Sequence, residues 1–358
     1  MKIVFLARRF YPEIGGVEKH CLELGKRLVK KGHELTVITE TPEASHSDDK
    51  QPKRGSATFV GEVEGIRIKR LSQGSDSWFK KFRIWREMWK QKDTLKKADI
   101  IHCHDVFFWY LPFRFIYFRK PVYVTFHGYE GNTIPNKKAI IMHKIGERFS
   151  WGNICVGDFF KKWYGTKPTI VIYGAVDKVP VKRNLLIKRP LKDVMFLGRL
   201  EEETGIMQYL EALAILKKKK INLSIDVYGD GALNTESINY SKLNDLNVEF
   251  NGFVSNASDL IYKYEYVFCS RYLGILEALI FKKTVFAVYN NSIKKDYLQM
   301  SAFKDFIFIE KNAEEIAKDL QKPISKSKIN SGYEWAKKQT WEKMVNDYLN
   351  LWGLHKNP

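Results

Sequence analysis

Ile3-Val4-Phe5-Leu6 runs into Gly15-Gly16 and a helical apolar pattern, and much later Val194-Met195-Phe196-Leu197 runs into Gly198-Arg199 and another. A short apolar strand that ends in glycine before an amphipathic helix is how α/β domains hold phosphate. Glycine lets the main chain approach closely, and the helix N-terminus offers unpaired N–H groups and a positive dipole end. Two such openings in matching contexts predict two Rossmann-like halves facing a cleft. Leu22, Leu24, Leu28 and Val29 mark the face on which the first helix packs. A tight strand–helix connection would also use these glycines, but their pairing favours the phosphate reading.

At 358 residues and 44% hydrophobic, the chain exceeds what one core fills, and two domains are expected. Cys21, Cys103, Cys155 and Cys269 are scattered with no Cys-x-x-Cys spacing, which fits reduced thiols in a cytoplasmic protein better than disulfides or zinc. The opening Lys2, short apolar run and Arg8-Arg9 are too brief for a signal peptide, and no stretch approaches the roughly 20 apolar residues of a spanning helix. The formal charge is +19, with 33 Lys and Arg against 19 Asp and Glu in residues 1–178 and 27 against 22 thereafter. The N-terminal half is therefore expected to meet something acidic: phosphorylated ligand, anionic lipid or nucleic acid.

Residues 2–6, 35–39, 99–103, 121–126, 153–156 and 169–172 read as strands, and 16–31, 77–97, 106–117, 136–150 and 158–164 as helices. Segments 57–63 and 66–70 suggest an added hairpin, and the polar 41–56 a loop. Such alternation implies a parallel sheet with helices on both faces. The basic, proline-bearing stretch from 179 to 192 reads as a linker. Strands near 193–197, 222–228, 247–250, 265–269, 284–288 and 306–309 then repeat the pattern. The tail, helical from about residue 326, carries Trp335, Trp341, Tyr348 and Trp352 and is expected to pack across the domain boundary. The expected organisation is thus an N-terminal domain 1–178, a linker 179–192, a C-terminal domain 193–325 and a helix 326–355 returning to the first domain.

Gly15-Gly16-Val17-Glu18, Ile101-His102-Cys103-His104-Asp105, Phe126-His127-Gly128 and Phe196-Leu197-Gly198-Arg199-Leu200 recur in order with Val227-Tyr228-Gly229-Asp230-Gly231, Asn251-Gly252-Phe253-Val254 and Leu276-Glu277-Ala278. Each is unspecific alone. As an ordered set spanning nearly the whole chain they resemble family 4 glycosyltransferases of the GT-B fold. The resemblance implies two Rossmann-like domains about a central cleft, with a nucleotide-sugar as co-substrate and no metal or other cofactor. The donor belongs to the C-terminal domain and the acceptor to the N-terminal one.

By the same resemblance His127, at the carboxyl edge of a strand, contacts the donor sugar and steadies charge developing at the anomeric carbon. A histidine satisfied by hydrogen bonds within its loop is the alternative, and Gly128 beside it favours the sugar contact. His102 and His104 with Asp105 read as structural or acceptor-side, because the sequence offers no third ligand for a metal. Glu18, His104 and Asp105 form the expected acceptor side. Arg199 would bind the departing nucleoside diphosphate bidentately, against the alternative of a surface arginine. Glu277 matches the glutamate that accepts from the ribose hydroxyls; a dipole-compensating glutamate is the bland alternative. Gly15, Gly16, Gly198, Gly274, Ile275 and Leu276 would line the donor site, and Val254 would border the base.

Two positions depart from the family. Its lysine before the glycine is Thr204 here, within Glu201-Glu202-Glu203-Thr204-Gly205, and its other glutamate falls at Cys269, before a shortened Ser270-Arg271-Tyr272-Leu273-Gly274 loop. Arg271 is the expected stand-in for the lysine, with Thr204 offering a weaker hydroxyl.

Residues 77–97 carry eight Lys and Arg among Trp78, Phe82, Trp85, Trp89 and Leu95, which share one helical face, and 107–118 are more aromatic still. One face of each would be core. Aromatics spilling round a cationic helix also describe an anionic membrane interface, expected at the inner face of the membrane. The expected activity is transfer of a sugar from a nucleotide-sugar to a glycan or lipid-linked acceptor, with retention, in cell-envelope polysaccharide assembly. A catalytically weak GT-B module that binds carbohydrate or partners an active enzyme is the alternative. Nucleic-acid binding has only charge in its favour and is not expected.

Overall fold

A computed structural model describes residues 1–13, 15–42, 60–72, 80–129, 134–177 and 192–353. The first sheet comprises β1 (Lys2–Ala7), β2 (Glu34–Glu40), β3 (Val60–Val63), β4 (Ile66–Leu71), β5 (Ile100–His104), β6 (Val122–Phe126), β7 (Gly152–Val156) and β8 (Ile170–Ile172). Its order is β3-β4-β2-β1-β5-β6-β7-β8, parallel apart from the β3–β4 hairpin. The second comprises β9 (Lys192–Leu197), β10 (Ile225–Tyr228), β11 (Val248–Phe250), β12 (Tyr264–Phe268), β13 (Thr284–Val288) and β14 (Phe308–Glu310), all parallel in the order β11-β10-β9-β12-β13-β14. Parallel strands are covered on both faces and read as continuous apolar runs. Ile3–Ala7, Val122–Phe126 and Thr284–Val288 are buried throughout.

Each sheet reverses its winding beside its first strand: β1 lies between β2 and β5, and β9 between β10 and β12. Helices leaving the neighbouring strands then cover opposite faces, and a crevice opens at the strands' carboxyl ends, where ligands of α/β sheets collect. The Gly15-Gly16 and Gly198-Arg199 turns stand at these two points.

The first lobe carries α1 (Gly16–Lys30), α2 (Lys80–Lys90), α3 (Lys92–Lys97), α4 (Phe107–Ile116), α5 (Lys137–Phe149) and α6 (Phe159–Trp163). The second carries α7 (Ile206–Lys218), α8 (Asn234–Leu243), α9 (Tyr272–Ile280), α10 (Ser292–Gln299) and α11 (Ala313–Asp319). The helix expected over 77–97 is two, separated at Gln91, and its first residues lie outside the described ones. Its buried apolar positions are Ile84, Met88 and Leu95, whereas Phe82 and Trp89 face solvent, so the face predicted to be apolar is divided between core and surface. The loop expected over 41–56 lies outside the described residues from 43 onward, as does the linker expected over 179–192 apart from Lys192, which begins β9.

The tail also divides. α12 (Lys326–Ala336) stays with the second lobe, where Gly332 lets it lie against Leu279 and Phe306. Thr340, whose Oγ1 accepts from Lys343 N at 3.1 Å, caps a new helix, α13 (Trp341–Leu351). Val176 N donates to Gln339 O at 2.9 Å and fixes the crossing point. α13 alone returns to the first lobe, burying Trp341, Met344, Val345, Tyr348 and Leu349 with the face of α1 that carries Leu24 and Leu28.

The lobes share one apolar cluster. Phe159 meets Tyr297 at 5.4 Å, Tyr173 meets Tyr272 at 5.6 Å, and Trp163 Nε1 donates to Asp296 Oδ2 at 2.9 Å. Gly157, with φ +110°, leaves room for the Tyr272 hydroxyl. All four cysteines are buried and unpaired.

Gly229 has φ +152°, and any Cβ there would strike the Gly198 carbonyl oxygen, a main-chain atom that cannot swing aside. Gly229→Ala should therefore lower the apparent melting temperature by at least about 5 °C; an unchanged transition would show that β10 and the Gly198 turn are not pressed together.

Candidate functional site: a crevice between two sheet edges

On the first lobe, Gly15 caps α1 in extended conformation, and the carboxylate of Glu18 lies over it where a side chain would sit. A methyl at Gly16 would meet nothing within 4 Å. One turn on, Lys19 Nζ reaches across the crevice to Glu277 Oε1 at 2.5 Å. Burial disfavours the ammonium, but the Glu277 carboxylate outweighs it, and the Lys19 pKa is raised. Lys19 was not picked out from the sequence; a lysine on a helix carries no local signal of a partner on another domain.

On the second lobe, two guanidiniums converge on one oxygen. Arg199 Nη2 lies 2.6 Å from Glu203 Oε1, and Arg271 Nη2 contacts the same atom. Burial pushes the Glu203 carboxyl up, but Arg271 and then Arg199 reverse this, and its pKa is lowered. The Arg199 side chain is 65% exposed and that of Arg271 37%, so Arg271 is the more firmly held. Its guanidinium also lies 5.8 Å from the Tyr129 ring of the first lobe. Behind it Lys294 is fully buried, with Nζ donating to Ser270 O; burial and then Arg271 drive its pKa well down.

Thr204 does not take the expected place. Its hydroxyl lies 2.6 Å from Arg199 O and 2.7 Å from Glu201 O inside a capping box, and the side chain is buried, so the local turn uses the group a ligand would need. Ile275 and Leu276 point their side chains into the core, and Ile275 N donates to Arg271 O at 3.0 Å. Neither therefore presents a side chain or a spare first-turn N–H to the crevice. Gly274 accommodates the buried Cys269 thiol, whose pKa burial raises to about 12. Gly198 sits at the end of β9. Val254 is exposed in the loop after β11, which Gly252 ties to β10 through its carbonyl and Gly229 N at 2.8 Å.

At the carboxyl ends of β5 and β6, Asp105 adopts left-handed φ (+62°), and its Oδ1 accepts from His127 N at 2.8 Å. His104 is 1% exposed and so cannot touch an acceptor as expected; it backs His127, with Nδ1 2.9 Å from His127 Nε2. His20 of α1 supplies a third imidazole, its ring 4.7 Å from that of His127. The three bring one nitrogen each within 4.8 Å of the others, so the third ligand missing in sequence order is present in the fold. Burial lowers the pKa of His20 to about 3 and those of His104 and His127 well below the usual value. The cluster is neutral at physiological pH.

Residues 14–178 match the model of glycosyltransferase family 4, and 178–339 that of glycosyl transferases group 1. An uncharacterized glycosyltransferase of Methanocaldococcus jannaschii is 26% identical over 289 residues, 71% of this chain and 70% of that protein. A glycosyltransferase of Rickettsia africae has a similar structure (TM-score 0.69, 16% identity, 99% of each chain). So does HepE of Anabaena in complex with UDP and glucose (TM-score 0.69, 15% identity, 98% of each chain). With two parallel sheets facing one crevice and two family models matched end to end, the chain belongs to the family 4, group 1 glycosyltransferases and has their GT-B fold.

Proposed function

We propose that the crevice takes a nucleoside diphosphate sugar and passes the sugar, with retention, to a glycan or lipid-linked acceptor. One observation carries this reading: Arg199 and Arg271 meet on a single carboxylate oxygen at the start of α9. Two fixed guanidiniums beside a helix N-terminus suit a pyrophosphate whose charge grows as the bond to the sugar breaks. Glu203 then yields its arginines to the phosphates, and Glu277 exchanges Lys19 for the ribose hydroxyls. Asp105, by holding the His127 main chain, keeps that imidazole at the sugar. HepE, solved with UDP and glucose, supports a donor of this class.

The reaction needs no metal on this reading. His20 Nε2 faces the Tyr348 hydroxyl at 2.8 Å, and His104 and His127 are engaged with each other, so the cluster already has hydrogen-bonding work. Positioning and phosphate stabilisation supply the catalysis. A binding-only module is the competing reading, favoured by Thr204 and the buried Cys269 thiol where the family resemblance expects a lysine and a glutamate; detection of transfer or donor hydrolysis with a panel of sugar nucleotides decides against it.

The acceptor side fits an anionic membrane surface in cell-envelope polysaccharide assembly. Phe82, Trp89, Phe115, Ile116 and Phe118 are exposed, and Lys92 and Arg119 lie over Trp89 and Phe118. Among the described residues no helix is long and apolar enough to cross a membrane. Such a surface would bind from one leaflet.

Thermal-shift titration should show UDP or GDP raising the melting temperature. Arg271→Ala should weaken that nucleotide at least about tenfold, the scale of a charge-assisted hydrogen bond, while Glu203→Gln should tighten it; the opposite order would remove the diphosphate reading. The protein should pellet with anionic vesicles at low salt, and the pair Phe115→Ser and Phe118→Ser should stay in the supernatant; equal pelleting would exclude this surface. Because His20, His102, His104 and His127 are neutral in the folded state, the unfolded chain takes up protons that the native one refuses below the usual histidine value of 6.5. Stability should hold above that value and fall as pH drops through it, by on the order of 1 kcal/mol per pH unit for each histidine. A melting temperature flat from pH 7 to about pH 5 would contradict the neutral cluster.

A further inference from the structure

Five side chains beneath His127 form one chain of hydrogen bonds whose directions follow from chemistry. Trp352 Nε1 donates to His102 Nδ1 at 3.1 Å. An indole N–H can only donate, so His102 Nδ1 carries no proton; burial keeps this ring neutral, and its proton is therefore on Nε2. His102 Nε2 then donates to Thr125 Oγ1 at 2.7 Å. The Thr125 hydroxyl has Tyr348 Oη as its acceptor at 2.8 Å, which leaves the Tyr348 proton for His20 Nε2, also at 2.8 Å. Trp352 and His20 are 6% and 5% exposed and the three between them 0%, so solvent supplies no substitute partner. A neutral His20 that accepts at Nε2 holds its own proton on Nδ1.

We propose that Tyr348 and Trp352 are positioning residues for sugar transfer, fixing His20 as the Nδ1–H tautomer against the His104–His127 pair. The neighbouring geometry gives this tautomer a consequence. The His20 ring meets that of His127 edge-on at 86° and lies 5.8 Å from that of His104. The direction of its dipole is therefore felt by the imidazole read as contacting the sugar. The supply of protons starts on the C-terminal segment: Tyr348 lies on α13, and Trp352 immediately follows it. The site is complete only when the helix that leaves the second lobe at Thr340 is docked on the first. The inference rests on the reading of His127 as a donor-sugar residue, but its first test needs no substrate.

Long-range 1H–15N correlation spectra of the full chain, labelled in histidine, report the tautomer of each ring. The wild type should show His20 as Nδ1–H and His102 as Nε2–H. Tyr348→Phe keeps the ring and removes the donor; His20 should shift towards Nε2–H. Transfer should then fall about tenfold, the scale on which outer-shell hydrogen-bond partners act, with the donor KM unchanged. A wild-type His20 protonated on Nε2 overturns the assignment without recourse to any variant. An unaltered transfer rate in Tyr348→Phe overturns the positioning role. Correct tautomers in a protein that transfers no sugar from any donor would instead overturn the transferase reading, and with it the role in transfer.

Discussion

Two guanidiniums repel unless an anion lies between them, and the second lobe is organised around keeping Arg199 and Arg271 together on Glu203. Arg199 follows β9 and Arg271 follows β12, neighbouring parallel strands whose carboxyl ends open on the same side. Arg271 caps α9, and the Tyr129 ring lies near its guanidinium from the opposite lobe. The carboxylate that unites them has the sign of charge of the pyrophosphate that would replace it on the proposed reading. Glu203 thus holds the two guanidiniums together and, if the crevice takes a diphosphate, is what the donor would displace.

At the carboxyl ends of β5 and β6 the first lobe answers with neutral rings. Its crevice edge carries imidazoles held neutral by burial, with Asp105 fixing the main chain of His127. On the proposed reading, the charge of the departing diphosphate falls on the side where Arg199 and Arg271 lie, while His127 steadies the charge at the sugar. Lys19 and Glu277 join the two edges by an ion pair, which on the proposed reading occupies the carboxylate that the ribose would use.

Much of this was legible in the sequence because it rests on local rules. Apolar runs ending at Gly15-Gly16 and Gly198 gave the two lobes, and the spacing of motifs gave their order. What was missed is long-range. His20 and Lys19 sit on a helix whose sequence reads only as amphipathic; their partners come from β5, β6, α13 and α9. The tail's split at Thr340 was hidden because Lys337-Lys338-Gln339 has no strong helix breaker; a threonine cap and the Val176 contact make the break. Spacing offers Thr204 as a ligand group because it reports position and not direction; the hydroxyl turns inward to the capping box. Periodicity puts Phe82 and Trp89 on one helical face without saying whether it is core or surface; Ile84 and Met88 fill the core and leave both exposed.

The most direct test is a double-mutant cycle on UDP affinity by calorimetry, with Glu203→Gln, Arg271→Ala and both together. If Glu203 competes with the diphosphate for Arg271, removing its charge strengthens binding in the wild-type background and loses most of that gain once Arg271 is gone. Equal effects in the two backgrounds would mean that carboxylate and guanidinium act independently, and the account of the crevice as a diphosphate clamp would fail.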